Sequence, residues 1–484
     1  MENSIKFICS AILAMAATVS ATAGGLLTNT NQNATFLRNP AHDASIAIDG
    51  VYSNPAGVAF LPQGLHLSVS WQAAFQKRQM DVQNNLFMMN SNNQSNTRKF
   101  EGEAIAPVIP SLQAAYVIND KWSLSAQFAV GGGGGKCEFN DGLPMFEEMI
   151  GGAAYKTAGT PVPYSLNQNL TGEQYFYGIQ LGGTYKIVDN LSVFGGVRGV
   201  IASCGYEGAI TGIKVNGMGS AEYSALSQQA AGAAQQYATA AEQYAAAGLA
   251  AEAAQAAAAA QQYVAAATQA GTAAVLTQDY LLDCSQSAFG ITPIIGVDWK
   301  LGKWNFAAKY EFRTKINLEN ESTNSANVDA LMPAYADGAK VRSDIPALLT
   351  VGAQYEPVSA LRASVGFHYY WDKDAKGTAI KNGDNTWEAI IGVEGDITKN
   401  VLLSFGMQRT NYGFDDSDMA DTNFNISSTA FCIGGAYKFN ENMKLNIGYM
   451  HSFYDNHEFT NANGTACDYT RKNDVVGVSL DMKF

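Results

Sequence analysis

Residues 361–371 read Leu-Arg-Ala-Ser-Val-Gly-Phe-His-Tyr-Tyr-Trp. Leu361, Ala363, Val365, Phe367, Tyr369 and Trp371 fall on one face of an extended chain, and Arg362, Ser364, Gly366, His368 and Tyr370 on the other. Such period-two alternation marks a strand with one apolar face. It recurs at 304–313, where Trp304, Phe306, Ala308, Tyr310 and Phe312 alternate with Asn305, Ala307, Lys309, Glu311 and Arg313. It recurs again at 475–484, where Val476, Val478, Leu480, Met482 and Phe484 alternate with Val475, Gly477, Ser479, Asp481 and Lys483. A soluble sandwich shows the same alternation, so the connections between strands decide the fold.

Fourteen strand-like stretches follow residue 63: near 64–80, 106–118, 121–132, 174–187, 191–215, 286–300, 304–318, 345–356, 360–371, 386–397, 401–410, 427–439, 443–454 and 472–484. Six connections are tight and rich in turn residues: Asn119-Asp120, Asp189-Asn190, Gly302-Lys303, Pro357-Val358-Ser359, Lys399-Asn400 and Asn440-Glu441-Asn442. Seven are long and polar, at about 81–105, 133–173, 216–285, 319–344, 372–385, 411–426 and 455–471. The two kinds alternate strictly, as antiparallel strands require when both chain ends lie on one side. An even strand number, short turns on one side and long loops on the other characterise outer-membrane barrels, and closure removes exposed edges. The sequence therefore predicts an all-β transmembrane barrel of 14 antiparallel strands over 63–484, with its apolar face toward lipid.

The composition agrees. Only 15% of the 484 residues are charged, against about 25% in average proteins. Mean hydropathy is −0.08, which argues against a bundle of helices each needing about 20 apolar residues to span a bilayer. A net charge of −13 disfavours a nucleic-acid partner. Hydrophobic content of 47% argues against disorder.

At the N-terminus, Lys6 precedes an apolar stretch from Phe7 to Val19, and Ala21-Thr22-Ala23 supplies a small-residue cleavage site. This pattern predicts a secretory signal peptide over 1–23 with Gly24 as the first mature residue. Five cysteines then remain, Cys137, Cys204, Cys284, Cys432 and Cys467, without a CxxC spacing, so they suggest neither zinc nor a thioredoxin-type motif. Residues 24–62 are too long for a simple terminus. Residues 221–275 are about half Ala with many Gln, both strong helix formers. They predict an external helical hairpin that bends near Gly248, within an insertion at 216–285.

The segment Arg38 to Leu61 reads RNPAHDASIAIDGVYSNPAGVAFL. It resembles the N-terminal hatch, or plug, of the long-chain fatty acid transporter family of FadL/TodX type, with Asn54-Pro55-Ala56 matching that family's Asn-Pro-Ala motif. Residues 106–116 look like the family's second strand, and Asn119-Asp120-Lys121-Trp122 like the turn that enters the third. Asp344-Ile345-Pro346-Ala347 with Val351, Gly352 and Tyr355 is also similar. The resemblance implies a barrel closed by a hatch over 24–62 that includes Gly24, Gly25, Leu26, Asn54, Pro55 and Ala56. It implies passive uptake of long-chain fatty acids or similar lipids and hydrocarbons: capture among external loops, binding in the lumen, rearrangement of the hatch and lateral release. The family's third strand is kinked to make a lateral hole. Gly131 to Gly135 end that strand here, which places the expected opening at Ala129, Val130, Gly131 and Gly132.

Alternation turns Arg198, Lys309, Arg313, Arg362 and His368 toward the lumen, together with Glu311, Glu388 and Glu394. The four cations are candidates for holding the carboxylate of a fatty-acid substrate through charge-assisted hydrogen bonds, with mutual pairing with the lumen carboxylates and the hatch as the competing role; His368 is a candidate for ligand contact, with a satisfied polar lumen residue as its alternative. Gly131 to Lys136 lacks the first Gly and the Ser/Thr of a phosphate loop, and no helix signal follows it. No HExxH or GxSxG motif occurs, so the expectation is a non-enzyme without metal or cofactor. Expected partners are a hydrophobic small molecule, outer-membrane lipid and lipopolysaccharide, with no nucleic acid, around a monomeric barrel. A second reading makes the Ala-rich hairpin a docking element and the barrel its anchor.

Overall fold

The computed structural model describes residues 32–377, 380 and 382–484; the expected signal peptide 1–23 and Gly24, Gly25 and Leu26 lie outside them. Seventeen strands form one antiparallel sheet. They are β1 (Gly64–Gln83), β2 (Thr97–Val117), β3 (Trp122–Phe139), β4 (Tyr164–Val188), β5 (Leu191–Val215), β6 (Tyr280–Leu301), β7 (Trp304–Glu311), β8 (Asn317–Ser322), β9 (Lys340–Arg342), β10 (Leu348–Val358), β11 (Leu361–Tyr370), β12 (Trp387–Asp396), β13 (Val401–Asn411), β14 (Ser428–Asn440), β15 (Met443–Tyr454), β16 (His457–Thr460) and β17 (Ala466–Lys483). Short β8, β9 and β16 extend the wall at the long-loop end. The remaining fourteen strands span, and β1 pairs with β17 from His66↔Lys483 to Gln83↔Ala466, which closes the barrel.

The outward rows are those the alternation predicts. Val365 and Phe367 on β11, Trp304 and Phe306 on β7, and Val476 on β17 are exposed, whereas Lys309, Glu311 and Val475 are buried inside. At the short-turn end, aromatic pairs ring the wall, with Trp122 and Tyr185 4.7 Å apart and Trp304 and Tyr355 4.4 Å apart. Amphipathic rings favour a membrane–water boundary.

Several strands run beyond their expected ends, so the long loops at 81–105 and 133–173 are shorter than the sequence suggests. The reason is an inversion of polarity along the strand. On β1 the outward row passes from Val69, Trp71 and Phe75 to Lys77, Gln79 and Asp81, while the inward row passes from Ser68, Ser70 and Gln72 to Met80 and Val82. Past the apolar belt the outer face meets water and the inner face packs with Phe87, Phe100, Phe139, Phe424 and Tyr469.

The Ala-rich insertion forms two antiparallel helices. The short helices α1 (Ala34–Arg38) and α2 (Gly50–Ser53) belong to the hatch, and α3 (Pro144–Ala158) lies between β3 and β4. The hairpin itself is α4 (Ser220–Ala246) and α5 (Ala250–Leu276), each about 40 Å long at 1.5 Å per residue. The Glu222 side chain accepts from the N–H of Gly219 at the start of α4. Gly248 turns the chain between them at φ 78°, a left-handed conformation that suits glycine. Tyr237 and Tyr263 stack across the pair at 5.3 Å. One further helix, α6 (Ala326–Leu331), lies between β8 and β9.

The hatch lies inside the barrel. Asn33 caps α1 by accepting from Thr35 N–H at 3.0 Å. Leu37 is fully buried against Ala430, Cys432, Met450 and Val475 of the wall. This approach needs a glycine: a Cβ on Gly448 would stand 2.7 Å from the Arg38 nitrogen and the Leu37 Cβ.

Candidate functional site

Three features of the interior bear on function: an apolar cavity at the long-loop end, a set of ion pairs between hatch and wall, and a break in the wall itself.

The cavity is built by elements distant in sequence. Met145, Phe146 and Met149 come from α3, Leu170 from β4, Gly208, Ala209 and Ile210 from β5, Tyr280 and Leu282 from β6, and Val328 and Leu331 from α6, with Met332 and Thr422 completing it. Among the described residues no charged side chain lines it. Its floor and walls belong to two apolar clusters that share Phe146 and Leu282, and the base of the hairpin contributes Tyr223, Ala273, Ala274 and Leu276 to one of them. It encloses about 60 Å³, less than the ~150 Å³ that accommodates a benzene ring. A ligand therefore has to displace side chains, and methionine is the residue that re-packs most readily. Sequence reasoning missed α3 and this cavity, because no local periodicity announces residues brought together from five elements.

The loop that carries Thr422 is pinned inside the barrel. Asp421 accepts from the Tyr469 hydroxyl and from Met145 N–H; burial raises its carboxyl to about 6.

The predicted lumen cations are all engaged. Arg198 donates to Glu311 at 2.6 Å and to Gln180 at 2.7 Å, and Lys309 reaches the same Glu311 at 2.8 Å. Lys309 also donates to the Tyr52 carbonyl in the hatch at 2.9 Å, with its ammonium 4.0 Å from the Tyr52 ring centre. Arg362 pairs with Glu394 at 3.3 Å and Asp396 at 3.0 Å. His368 sits between Asp43 of the hatch at 3.0 Å and Glu388 at 2.8 Å. Arg313 lies past the end of β7, half exposed, 3.7 Å from Asp344. These groups hold the hatch and one another, so mutual pairing prevails over a free carboxylate receptor.

The hatch brings further partners. Arg38 pairs with Glu394, and His42 bridges Asp49 at 2.5 Å and Glu394 at 3.5 Å. Burial alone would lower the His42 pKa, but the charge of Asp49 beside it outweighs burial and raises it to about 9. Asn54, Pro55 and Ala56 act as a fastening. The Asn54 side chain accepts from Gly57 N–H at 3.2 Å and donates to Asp298 on β6. The carbonyls of Pro55 and Ala56 accept from Thr184 at 2.9 Å and Ser192 at 2.7 Å.

The wall is broken between β2 and β3. Their ladder runs from Glu103↔Glu138 to Ile105↔Lys136, stops, and resumes at Ser111↔Ala129. The residues between, 106–110 on β2, are about 16 Å of chain at 3.3 Å per residue. Pro107 and Pro110 lie in this stretch and have no N–H to donate. Opposite them β3 shifts register against β4 at Val130/Gly132 and again at Gly132/Gly135, with φ of 104° at Gly133 and 73° at Gly135. The glycine run thus continues β3 as a bulge and does not simply begin a loop. Ala129, Val130, Gly131 and Gly132 form its edge. Behind it, the Gln127 side chain donates to Gln32 of the hatch.

No family model matches the chain, and no curated protein matches it in sequence. Solved structures do share its fold. A Pseudomonas aeruginosa FadL homologue superimposes with a TM-score of 0.63 over 96% of this chain and 100% of its own, at 12% identity. The Pseudomonas putida toluene transporter TodX gives 0.54 over 96% and 99%, at 12% identity. The monoaromatic hydrocarbon channel CymD gives 0.52 over 94% and 99%, at 11% identity. The chain therefore has the fold of these channels over nearly its whole length, including a hatch inside a fourteen-stranded barrel.

Proposed function

We propose that this protein is a passive channel of the bacterial outer membrane for hydrophobic small molecules, exported by a cleaved signal peptide and working as a monomer. The observation that carries the reading is the break between β2 and β3, where Pro107 and Pro110 face the glycine bulge of β3. An apolar molecule avoids both the external polar sugars and the periplasmic water if it leaves through the wall into lipid. The cavity under the external loops is the capture site. From there a ligand moves to the lumen, the hatch rearranges behind the break, and the ligand escapes past Ala129 to Gly132. Likeness to a FadL homologue and to toluene and monoaromatic hydrocarbon channels supports the substrate class.

The test is uptake of radiolabelled long-chain fatty acid and of toluene by cells lacking their own hydrophobic-compound channels. Expression of this protein is expected to raise uptake of at least one. Uptake equal to that of empty-vector cells, or ready permeation of small sugars in liposome swelling, overturns the reading.

A further inference from the structure

Three methionines converge on the apolar cavity from two separate elements. Met145 and Met149 stand about one turn apart on α3, and Met332 follows the end of α6. All three are half-buried, whereas Met80 and Met450 of the barrel interior are closed off from solvent. The thiols of the chain are poor competitors for an oxidant. Among the described residues four of the five cysteines are buried. Beyond the apolar belt, burial pushes the Cys467 thiol up to about 12 and raises that of Cys137 as well. Cysteine reacts as the thiolate, so buried thiols of this kind are inert. A thioether needs no deprotonation, and its sulfur lone pair is available at any pH.

A peroxide oxidises a thioether in one step. The sulfur lone pair forms an S–O bond as the O–O bond breaks. Sulfur gives up two electrons, the peroxide gains them, and its second oxygen leaves as water after proton transfer. The product, methionine sulfoxide, puts a polar, chiral side chain where a flexible apolar one stood. The cavity suits it badly. Among the described residues its only side-chain hydroxyls are those of Thr422 and of Tyr280, which donates to the Leu276 carbonyl at 3.4 Å. Three sulfoxide oxygens thus meet at most two hydroxyl donors, and a buried acceptor left unpaired is costly. The change falls on side chains that pack against both apolar clusters, Met145 on one and Met149 and Met332 on the other. Those are the side chains that re-pack to admit a ligand. We infer that Met145, Met149 and Met332 form a modification site, where oxidation by a peroxide to the sulfoxide shuts the cavity to apolar ligands. The inference rests on the channel reading and adds to it a chemical control on capture.

The test treats the mature chain, in a neutral maltoside detergent, with hydrogen peroxide. Peptide mass spectrometry is expected to find sulfoxide at Met145, Met149 and Met332 about tenfold sooner than at Met80 and Met450, since oxidation follows exposure. Saturable binding of toluene or decanol, read by calorimetry, is expected to weaken about tenfold or more as the three positions convert, the cost of stranding polar oxygens in the cavity. The M145L/M149L/M332L variant, compared only with itself before and after peroxide, is expected to show no such drop, because leucine fills a similar volume without sulfur. M88L, which removes an exposed methionine outside the cavity, is expected to lose affinity on oxidation as the wild type does. Oxidation of the three at the rate of the buried pair, or affinity that survives their conversion, overturns the assignment. If the triple variant does not fold, the wild-type time course decides. Loss of affinity that tracks sulfoxide at the three positions supports the assignment, and loss that tracks Met88 overturns it. Untreated wild-type protein that binds neither probe refutes the capture site of the channel reading, and this inference with it. Binding that peroxide leaves intact refutes the modification site alone.

Discussion

His42 and Asp49, both within the hatch, form an ion pair at 2.5 Å whose far side faces Glu394 of the wall at 3.5 Å. The imidazole titrates near 9 in the folded protein, and Asp49, which burial alone would push up, is held at about 2 by the imidazolium. A raised histidine contributes its full stabilisation below its unfolded value of 6.5 and loses it as pH climbs through 9. A depressed aspartate contributes fully above 3.8 and loses it as pH falls through 2. The anchor is therefore strongest between pH 3.8 and 6.5. Single-channel conductance in planar bilayers is expected to be low in that window and to rise as pH passes from 6.5 through 9, while H42Q is expected to show no such rise.

Asn54 joins the two ends of the hatch fastening, since it caps Gly57 and reaches Asp298. Among the described residues, N54A leaves Asp298 with Asn305 at 2.8 Å as its remaining side-chain partner. Stranding buried polar groups in this way costs about 1–3 kcal/mol. The barrel ladder is untouched, so the variant is expected to keep its folded, heat-modifiable mobility on gels and to admit small sugars faster in liposome swelling. Sugar rates equal to wild type would show that Asn54 does not hold the hatch.

The strand count, the side on which long loops lie, the hairpin and its bend at Gly248 were all legible in the sequence, because each depends on periodicity or on a turn residue. The break in the wall was half legible: Gly131 to Gly135 pointed to it, but Pro107 and Pro110 on the neighbouring strand act only through cross-strand registry. The long-loop ends of β1 to β4 were read short because the apolar row changes face where the strand leaves the membrane. Partnership was the least legible property. Arg198 and Arg78 both fall on the inward row, yet one has Glu311 and the other has a second arginine. Alternation reports which way a side chain points, not what it meets.

Gly131 tests the exit separately from capture. A Cβ there would stand 3.6 Å from the Gln32 amide and from the Phe176 carbonyl, in ordinary contact, so a small side chain fits and a large one fills the break. G131W is expected to lower uptake of apolar compounds by about tenfold, equivalent to roughly 1.4 kcal/mol on the barrier. Ligand affinity measured on the purified protein should stay unchanged, because the cavity lies among the external loops. Loss of affinity together with uptake would place capture at the break.

The hairpin divides into a base and a tip with different expected roles. Its base buries Tyr223, Ala273, Ala274 and Leu276 in the cluster that borders the cavity, together with Ile150, Ile213 and Tyr280. Its tip, around Gly248, exposes Tyr244 and Leu249 and, among the described residues, belongs to no apolar cluster. Replacing 228–266 with a short Gly-Ser turn removes the tip and keeps the base, whereas replacing 220–276 strips side chains from the apolar cluster that borders the cavity. Burial of each aromatic or large aliphatic side chain is worth about 1.5–3 kcal/mol, so the longer deletion is expected to weaken ligand binding and uptake together. The shorter one is expected to leave both intact. Uptake abolished by the shorter deletion would move capture out to the tip; normal uptake with loss of a surface partner would make the tip a docking element on a working channel.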